Sequence, residues 1–257
     1  MGISSVKAGN YEDWKDGDRI IITAGRNRKP GGTRLDLIAG NSAILKNVVD
    51  QMKPHYTKGV IMIVSSPVDV LVYQCTKWMG LPNGMVFGTG CILDSSRFTR
   101  LIADYTRLNT EVVKATIVGE HGDAQIPIWS RVSIAGVPIQ EYCENVGLRW
   151  GENIRKDISD KVREMGATII KGKGRTHYGI ATCVCYLAEA VLNQRLTIAP
   201  VSTMFHGEYG IEDVCLSVPS IIGVNGVEKR LEERWAEEEF LAFRQAAEKM
   251  RNVLKTL

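Results

Sequence analysis

No run of about eighteen consecutive apolar residues, the length a membrane-spanning helix needs, occurs in this 257-residue chain. The opening stretch, MGISSVKAGNYEDWKDGDR, lacks the apolar core of a secretory leader. Cytoplasmic residence, without a membrane partner, is the expectation. CxxC pairs are absent too. Cys75, Cys91, Cys143, Cys183, Cys185 and Cys215 each lie in apolar text such as IATCVCYLAEAVL, and are expected to be buried free thiols in a reducing compartment. His121 has no second or third ligand at metal-binding spacing, which argues against a metal hydrolase and leaves no metal expected. A net charge of only +3, with no stripe of interleaved basic and aromatic residues, argues against a nucleic-acid partner. Internal repeats and low-complexity linkers are missing. So is any GxGxxG: the GKG at 172–174 follows a helical pattern, the wrong context for a phosphate loop.

What remains is ordinary globular composition, 24% charged and 44% hydrophobic, long enough for one large domain or two smaller ones. RIIIT (19–23) and VIMIVS (60–65) are short continuous apolar runs, the pattern of strands buried on both faces. Between them Ile44, Leu45, Val48, Val49 and Met52 fall at helical spacing, with Asp36 and Asn41 available near the helix start. SPVDVLVYQCTKWMG then reads as helix, GMVFGTG as strand and DSSRFTRLIADYT as helix, so βαβ units on a parallel, doubly wound sheet are expected. Past residue 110 the texture changes. EVVKATIVG, SRVSIAGVPI, QRLTIAPVST and DVCLSVPSIIGVNGV are strand-like, the last with an Asn-Gly turn. Two long helices complete this half: one carries Ile154, Ile158, Val162, Met165 and Ile169 on a face, and the other places acids first and bases last. The two halves are expected to pack with a cleft between them.

Three segments bear chemistry. GRNRKPGGTRLDL (25–37) crowds Arg26, Arg28, Lys29 and Arg34 around Pro30-Gly31-Gly32, which cannot form helix or interior strand, so the loop awaits an anion. VGEHGD (118–123) puts His121 just after a strand, and histidine is the side chain best matched to proton transfer near neutral pH. LDSSR (93–97) sets Asp94 and Arg97 three apart, on one face of a helix start. Alone, each has a structural explanation. Together a His–Asp pair, several arginines and an α/β sheet suit reduction of an anionic keto acid.

With ITAGRNRKPGGTRLDL, SSPVDVLVY, GTGCILDSSRF, GEHGD and THYGIA in this order and spacing, the sequence resembles the L-lactate/malate dehydrogenase family, closest to the lactate enzymes, from near residue 6 to its end. The resemblance implies an NAD-dependent L-2-hydroxy acid dehydrogenase acting on a small-molecule substrate, and a homo-oligomer. It assigns His121 as proton donor, Asp94 as the acid that holds the imidazole, Arg97 as the bidentate grip on the substrate carboxylate and Arg34 as the group that polarises the carbonyl. Thr176 and Ser66 fall in substrate-pocket segments, while Thr23, Ala24, Gly25 and Val64 fall along the cofactor. The cationic loop resembles the family's closing lid, and Arg28 stands at the position that selects lactate or malate.

Several departures accompany the resemblance. Ser66 stands where the family usually carries Asn. Thr99 and Lys114 stand where lactate dehydrogenases activated by a sugar bisphosphate carry a basic pair, so weak or absent activation is expected. The family's first βαβ unit has no counterpart in this sequence, which opens at the equivalent of the third strand, SSVKAG. The expected fold is therefore α/β: an N-terminally truncated Rossmann-type parallel sheet over residues 1–90, joined to an α+β substrate domain over 91–257. Malate specificity through Arg28, and a catalytically silent remnant that binds only its own family, are the alternatives.

Overall fold

A computed structural model describes residues 6–14, 19–27, 34–193 and 195–257, apart from the side chains of 34–36. Strand and helix first alternate: β1 (Arg19–Ile22), α1 (Arg34–Met52), β2 (Val60–Ile63), α2 (Val68–Met79), β3 (Val86–Gly88) and α3 (Ile92–Thr106). Then follow β4 (Val113–Lys114), β5 (Ile117–Gly119), β6 (Gln125–Pro127), β7 (Ser133–Ile134), β8 (Val137–Pro138), α4 (Ile139–Asn145) and α5 (Glu152–Lys173). The chain ends with α6 (Tyr178–Leu192), β9 (Thr197–His206), β10 (Glu212–Gly223), β11 (Gly226–Arg230) and α7 (Glu237–Leu254).

Among the described residues one sheet runs β1-β2-β3-β9-β10-β5-β6, with β11 on β10. β1, β2 and β3 are parallel, and β3 meets β9 antiparallel at Gly88–Ser202. The two halves of the sequence therefore share a sheet. All four residues of β2 are buried, which explains its unbroken apolar text. Ile61 and Ile63 pack with Leu45, Val49, Leu71 and Val72 of α1 and α2, whereas Val60 and Met62 pack with Leu187 and Val191 of α6. α7 covers β9 and β10 through Phe243, Ala247 and Met250, against Phe205, Val214, Leu216 and Val218. A separate cluster joins α3, α4 and α5 through Phe98, Ile102, Cys143, Ile158 and Val162.

The structure corrects the sequence reading in several places. α6 was not anticipated: its inner stripe (Cys183, Leu187, Ala190, Val191) is buried, but Tyr178, Tyr186 and Leu192 on its outer side are apolar and exposed, so no amphipathic period marks it. EVVKATIVG divides into β4 and β5, which belong to different sheets. Asn41 lies inside α1 rather than near its start. Cys185 is exposed, while the other five cysteines are buried; all six are free. Of SSVKAG, residues 1–5 lie outside the described part and Val6–Asn10 form no strand.

The junction of β3, β9 and β10 leaves no room for a side chain at Gly90. Its φ is +50°, and a Cβ there would stand 2.3 Å from Ser217 Oγ and 2.5 Å from the Ser202 nitrogen. Gly90→Ala is expected to destabilise the fold by about 3 kcal/mol. Gly166→Ala, inside α5 with open space around it, should instead stabilise by up to about 1 kcal/mol. Urea unfolding midpoints of the two variants check this.

Candidate active site

The site is assembled where α2, α3 and the turn after β5 meet. α3 is fixed at its start by two hydroxyls: the Cys91 N–H donates to Ser217 Oγ of β10 at 3.2 Å, and Ser95 Oγ accepts the Ile117 N–H of β5 at 2.9 Å. That docking holds the first turn of α3, which carries Asp94, beside the end of β5, and a carboxylate there is favoured by the helix dipole. β5 ends at Gly119 with φ +90°, and a Cβ there would meet the Ala124 carbonyl at 3.1 Å. The chain thus turns tightly through Glu120 and returns His121 toward α3.

His121 Nδ1 lies 2.6 Å from Asp94 Oδ2. A carboxylate partner makes Nδ1 the donor and leaves Nε2 as the other reactive nitrogen. Asp94 is almost wholly buried, while about a third of the His121 side chain (32%) is exposed, so the imidazole is the group open to a substrate. Arg97 Nη1 donates to Asp94 Oδ1 at 3.3 Å. The carboxylate therefore divides its oxygens between imidazole and guanidinium. Burial lowers the affinity of His121 for a proton. The hydrogen bond and charge of Asp94 and the charge of Asp69 outweigh burial and the opposing charge of Arg97, so His121 titrates above ordinary histidine. The nearby Cys91 thiol is pushed well up by burial and by the carboxylates of Asp94 and Asp69, and remains a neutral core group.

Of the residues singled out in the sequence, His121, Asp94 and Arg97 come together. Gly179 of α6 faces Leu93, bringing the first turn of α6 to the first turn of α3, and Thr176 stands exposed just before it. Ser66 is also exposed, ahead of α2; among the described residues neither side chain bonds to the His–Asp–Arg group. Thr23, Ala24 and Gly25 are exposed directly after β1, and half-buried Val64 directly follows β2, donating its N–H to the Ile22 carbonyl at 2.9 Å. Arg28 and the side chain of Arg34 lie outside the described residues.

Three further polar residues shape the site and were not singled out for it. Asn41 accepts the Arg26 N–H at 2.7 Å and donates to the carbonyls of Arg26 and Ser66 at 3.1 and 2.6 Å. It ties the roots of the loops after β1 and β2 to α1. Asp69 accepts from the His121 N–H and from Ser202, whose hydroxyl is fully buried. A polar residue within an otherwise buried helical stripe, as Asn41 is between Ile38 and Leu45, was the available sequence signal.

Comparison with known proteins gives a consistent picture. Residues 3–88 match the model of the lactate/malate dehydrogenase NAD binding domain, and residues 91–257 that of the lactate/malate dehydrogenase alpha/beta C-terminal domain. L-lactate dehydrogenase of Thermoanaerobacterium saccharolyticum is 41% identical over 98% of this chain and 81% of its own length. That of Acetivibrio thermocellus is 36% identical over 97% and 78%. The crystal structure of minor L-lactate dehydrogenase from Enterococcus mundtii, in its ligands-bound form, superposes with a TM-score of 0.92 at 37% identity, covering 97% of this chain and 79% of that one.

Asp94→Asn keeps the size of the side chain and removes its charge. His121 is then expected to titrate lower than in the unaltered protein, because its main source of proton affinity is gone. In the unaltered protein the raised value means that the pair stabilises the fold fully below the unfolded histidine pKa. That contribution disappears as pH rises through the folded one. NMR titration of His121, with thermal melts across the same pH range, measures both effects.

Proposed function

Since the chain belongs to the lactate/malate dehydrogenase family, we propose that it interconverts an L-2-hydroxy acid and its 2-keto acid, lactate and pyruvate, with NAD as hydride carrier. The observation that carries the reading is the imidazole of His121, held by a buried carboxylate, biased toward its protonated form and open to a substrate. Fit to the cofactor rests on the parallel part of the sheet. In such sheets ligands lie outside the carboxyl ends of the strands, and there Thr23, Ala24 and Gly25 leave backbone exposed next to half-buried Val64. A Cβ on Gly25 would lie 3.4 Å from Ser65 Cβ and 3.5 Å from Asn41, ordinary contact distances, so this exposed segment rests on Ser65 and Asn41. When bound, NAD in its reduced form would supply the hydride for this reduction.

This chain's residues do the rest. In the direction of reduction, the protonated His121 gives the proton on Nε2 to the carbonyl oxygen, and the lone pair left on the imidazole takes a proton back in the reverse direction. Asp94 keeps Nδ1 protonated throughout and favours the cation. Arg97 spends one end of its guanidinium on Asp94 and offers the other to the substrate carboxylate, a planar match that Lys cannot reproduce. Arg34 polarises the carbonyl, and Thr176 and Ser66 border the substrate. Arg28 favours a second reading: a charge-assisted hydrogen bond to a second carboxylate is worth about 1.5–3 kcal/mol, enough to turn preference toward oxaloacetate.

The chain acts in the cytoplasm as a homo-oligomer. Tyr178, Tyr186 and Leu192 of α6, with neighbouring Leu196 and Ile198, expose apolar surface whose removal from water supports self-association. Among the described residues no helix is long and apolar enough to cross a membrane. Sedimentation should find a dimer or tetramer, and Tyr186→Lys with Leu192→Lys should shift it toward monomer.

His121→Gln should lower turnover by about 10²–10⁴-fold while leaving NADH binding, read by fluorescence titration, unchanged. A variant retaining half the activity would remove His121 from the mechanism. Comparing kcat/KM for pyruvate and oxaloacetate decides between lactate and malate specificity. A chain without saturable NADH binding and without turnover of either acid would be a silent remnant.

A further inference from the structure

A cavity of about 220 Å³ opens where the starts of α4, α5 and α7 converge on the β7–β8 hairpin, and none of its lining residues belongs to the His–Asp–Arg group. Two tryptophans form its aromatic wall: Trp129 meets Trp150 edge-on, with 5.5 Å between ring centroids. Buried Val132 and Ile139 add aliphatic surface. A cation lines the same space. Arg155 of α5 is half-buried, and among the described residues its guanidinium has neither a hydrogen bond nor an ion pair. We infer that this cavity is a binding site for a small aromatic monocarboxylate, with its ring against the tryptophans and its carboxylate on Arg155.

The walls are built before any ligand arrives. Trp129 is held twice: its Nε1 donates to Ser159 Oγ at 3.3 Å, and its ring stands edge-on to buried Phe98 at 4.6 Å. Trp150 packs on Tyr105, whose hydroxyl donates to the Arg149 carbonyl beside it. The hairpin is closed by the Ile139 N–H on the Val132 carbonyl at 3.1 Å. Walls fixed in this way lose little freedom on binding, and aromatic rings favour offset or edge-on partners.

Charge selects the ligand class. The buried acid of the lining, Glu239, is already satisfied: it accepts the Ser130 N–H at 2.9 Å, the Ser130 hydroxyl, and the Ala236 N–H at 3.0 Å. A cationic ligand therefore gains little from it. Arg155 is partly withdrawn from water without a counter-ion, and a carboxylate matches its planar fork with two parallel hydrogen bonds. Glu238, the exposed acid of the lining, disfavours a second negative charge. Pockets for drug-sized ligands run to about 300–1,000 Å³, so this smaller space suits a single ring with a short acid arm.

Phenylacetate is the probe, added to the full chain. The indole N–H signals of Trp129 and Trp150, among five tryptophans, are identified by NMR through Trp129→Phe and Trp150→Phe. Phenylacetate should move both signals saturably, with a Kd in the millimolar range or tighter, and leave those of Trp14 and Trp78 in place. Arg155→Gln should keep its fold and weaken binding at least about tenfold. Phenylacetamide, a comparison that needs no variant, should bind more weakly by a similar factor, and phenylmalonate should also bind more weakly than phenylacetate. Absence of a saturable shift, equal binding of acid and amide, or tighter binding of phenylmalonate overturns the proposal. So does binding that survives Arg155→Gln unchanged, or that is lost in Arg97→Gln and so belongs beside His121. These readouts need no turnover, and their outcome is independent of the proposed function.

Discussion

Everything in this molecule that bears on chemistry hangs from the seam where a parallel sheet is stitched to an antiparallel one. The stitch is narrow. Gly88 of β3 pairs with Ser202 of β9, which pairs in turn with Ser217 of β10. Side chains larger than these would force the layers apart: a Cβ on Gly88 would come within 2.4 Å of Val68 and 2.6 Å of Val72 on α2. Small residues at the crossing therefore let α2 sit close on β3, and close approach lets a carboxylate on α2 reach β9 and the turn beyond β5. The same closeness lets Ser217 hold the first backbone N–H of α3. Close packing here positions the polar groups.

Those polar groups are expensive to bury. A carboxylate taken from water costs several kcal/mol unless its oxygens are satisfied, and here Asp69 and Asp94 are both buried within one neighbourhood. Asp94 recovers the cost through an imidazole and a guanidinium, Asp69 through a backbone amide and a buried hydroxyl. The result is a site with excess negative charge beneath a partly exposed histidine, which favours the protonated imidazole. A neutral pocket of the same shape would hold the imidazole but favour its proton less.

A second buried charge works on the other side of the seam. Arg230 of β11 is 8% exposed and donates to Glu208 at 2.7 Å, to Asn83 ahead of β3 at 2.8 Å, and to the Met204 carbonyl. Burial weakens its hold on its proton and the charge of Glu208 restores part of that hold. Like Asp69, it draws together segments distant in sequence, one from each half. Joining the halves by buried charge as well as by apolar contact makes the relative placement of α2 and β9 specific, because sliding either would strand an ion.

How much of this was legible in the text depended on how local the signal was. Strands β1 and β2, helices α1, α2 and α3, and the Asn-Gly turn before β11 were readable because a run of apolar residues, a period or a turn dipeptide is a property of neighbours. Asp94 and Arg97 were readable as a pair for the same reason, three apart on one helix. His121 was readable as a candidate by its residue type and its place after a strand, and its partnership with Asp94 came from the resemblance of separated motifs. Helix α6 was missed because its outward side is apolar, and a helix without a polar face has no period to detect. Asp69, Ser202 and Asn41 were silent for a deeper reason. Their importance lies in contacts spanning 52, 133, 15 and 25 positions of sequence. By itself the sequence determined most of the elements and marked His121 as the candidate proton donor; only the tertiary structure decided that a carboxylate of the first half holds the His121 backbone, since such contacts exist only once the seam has closed.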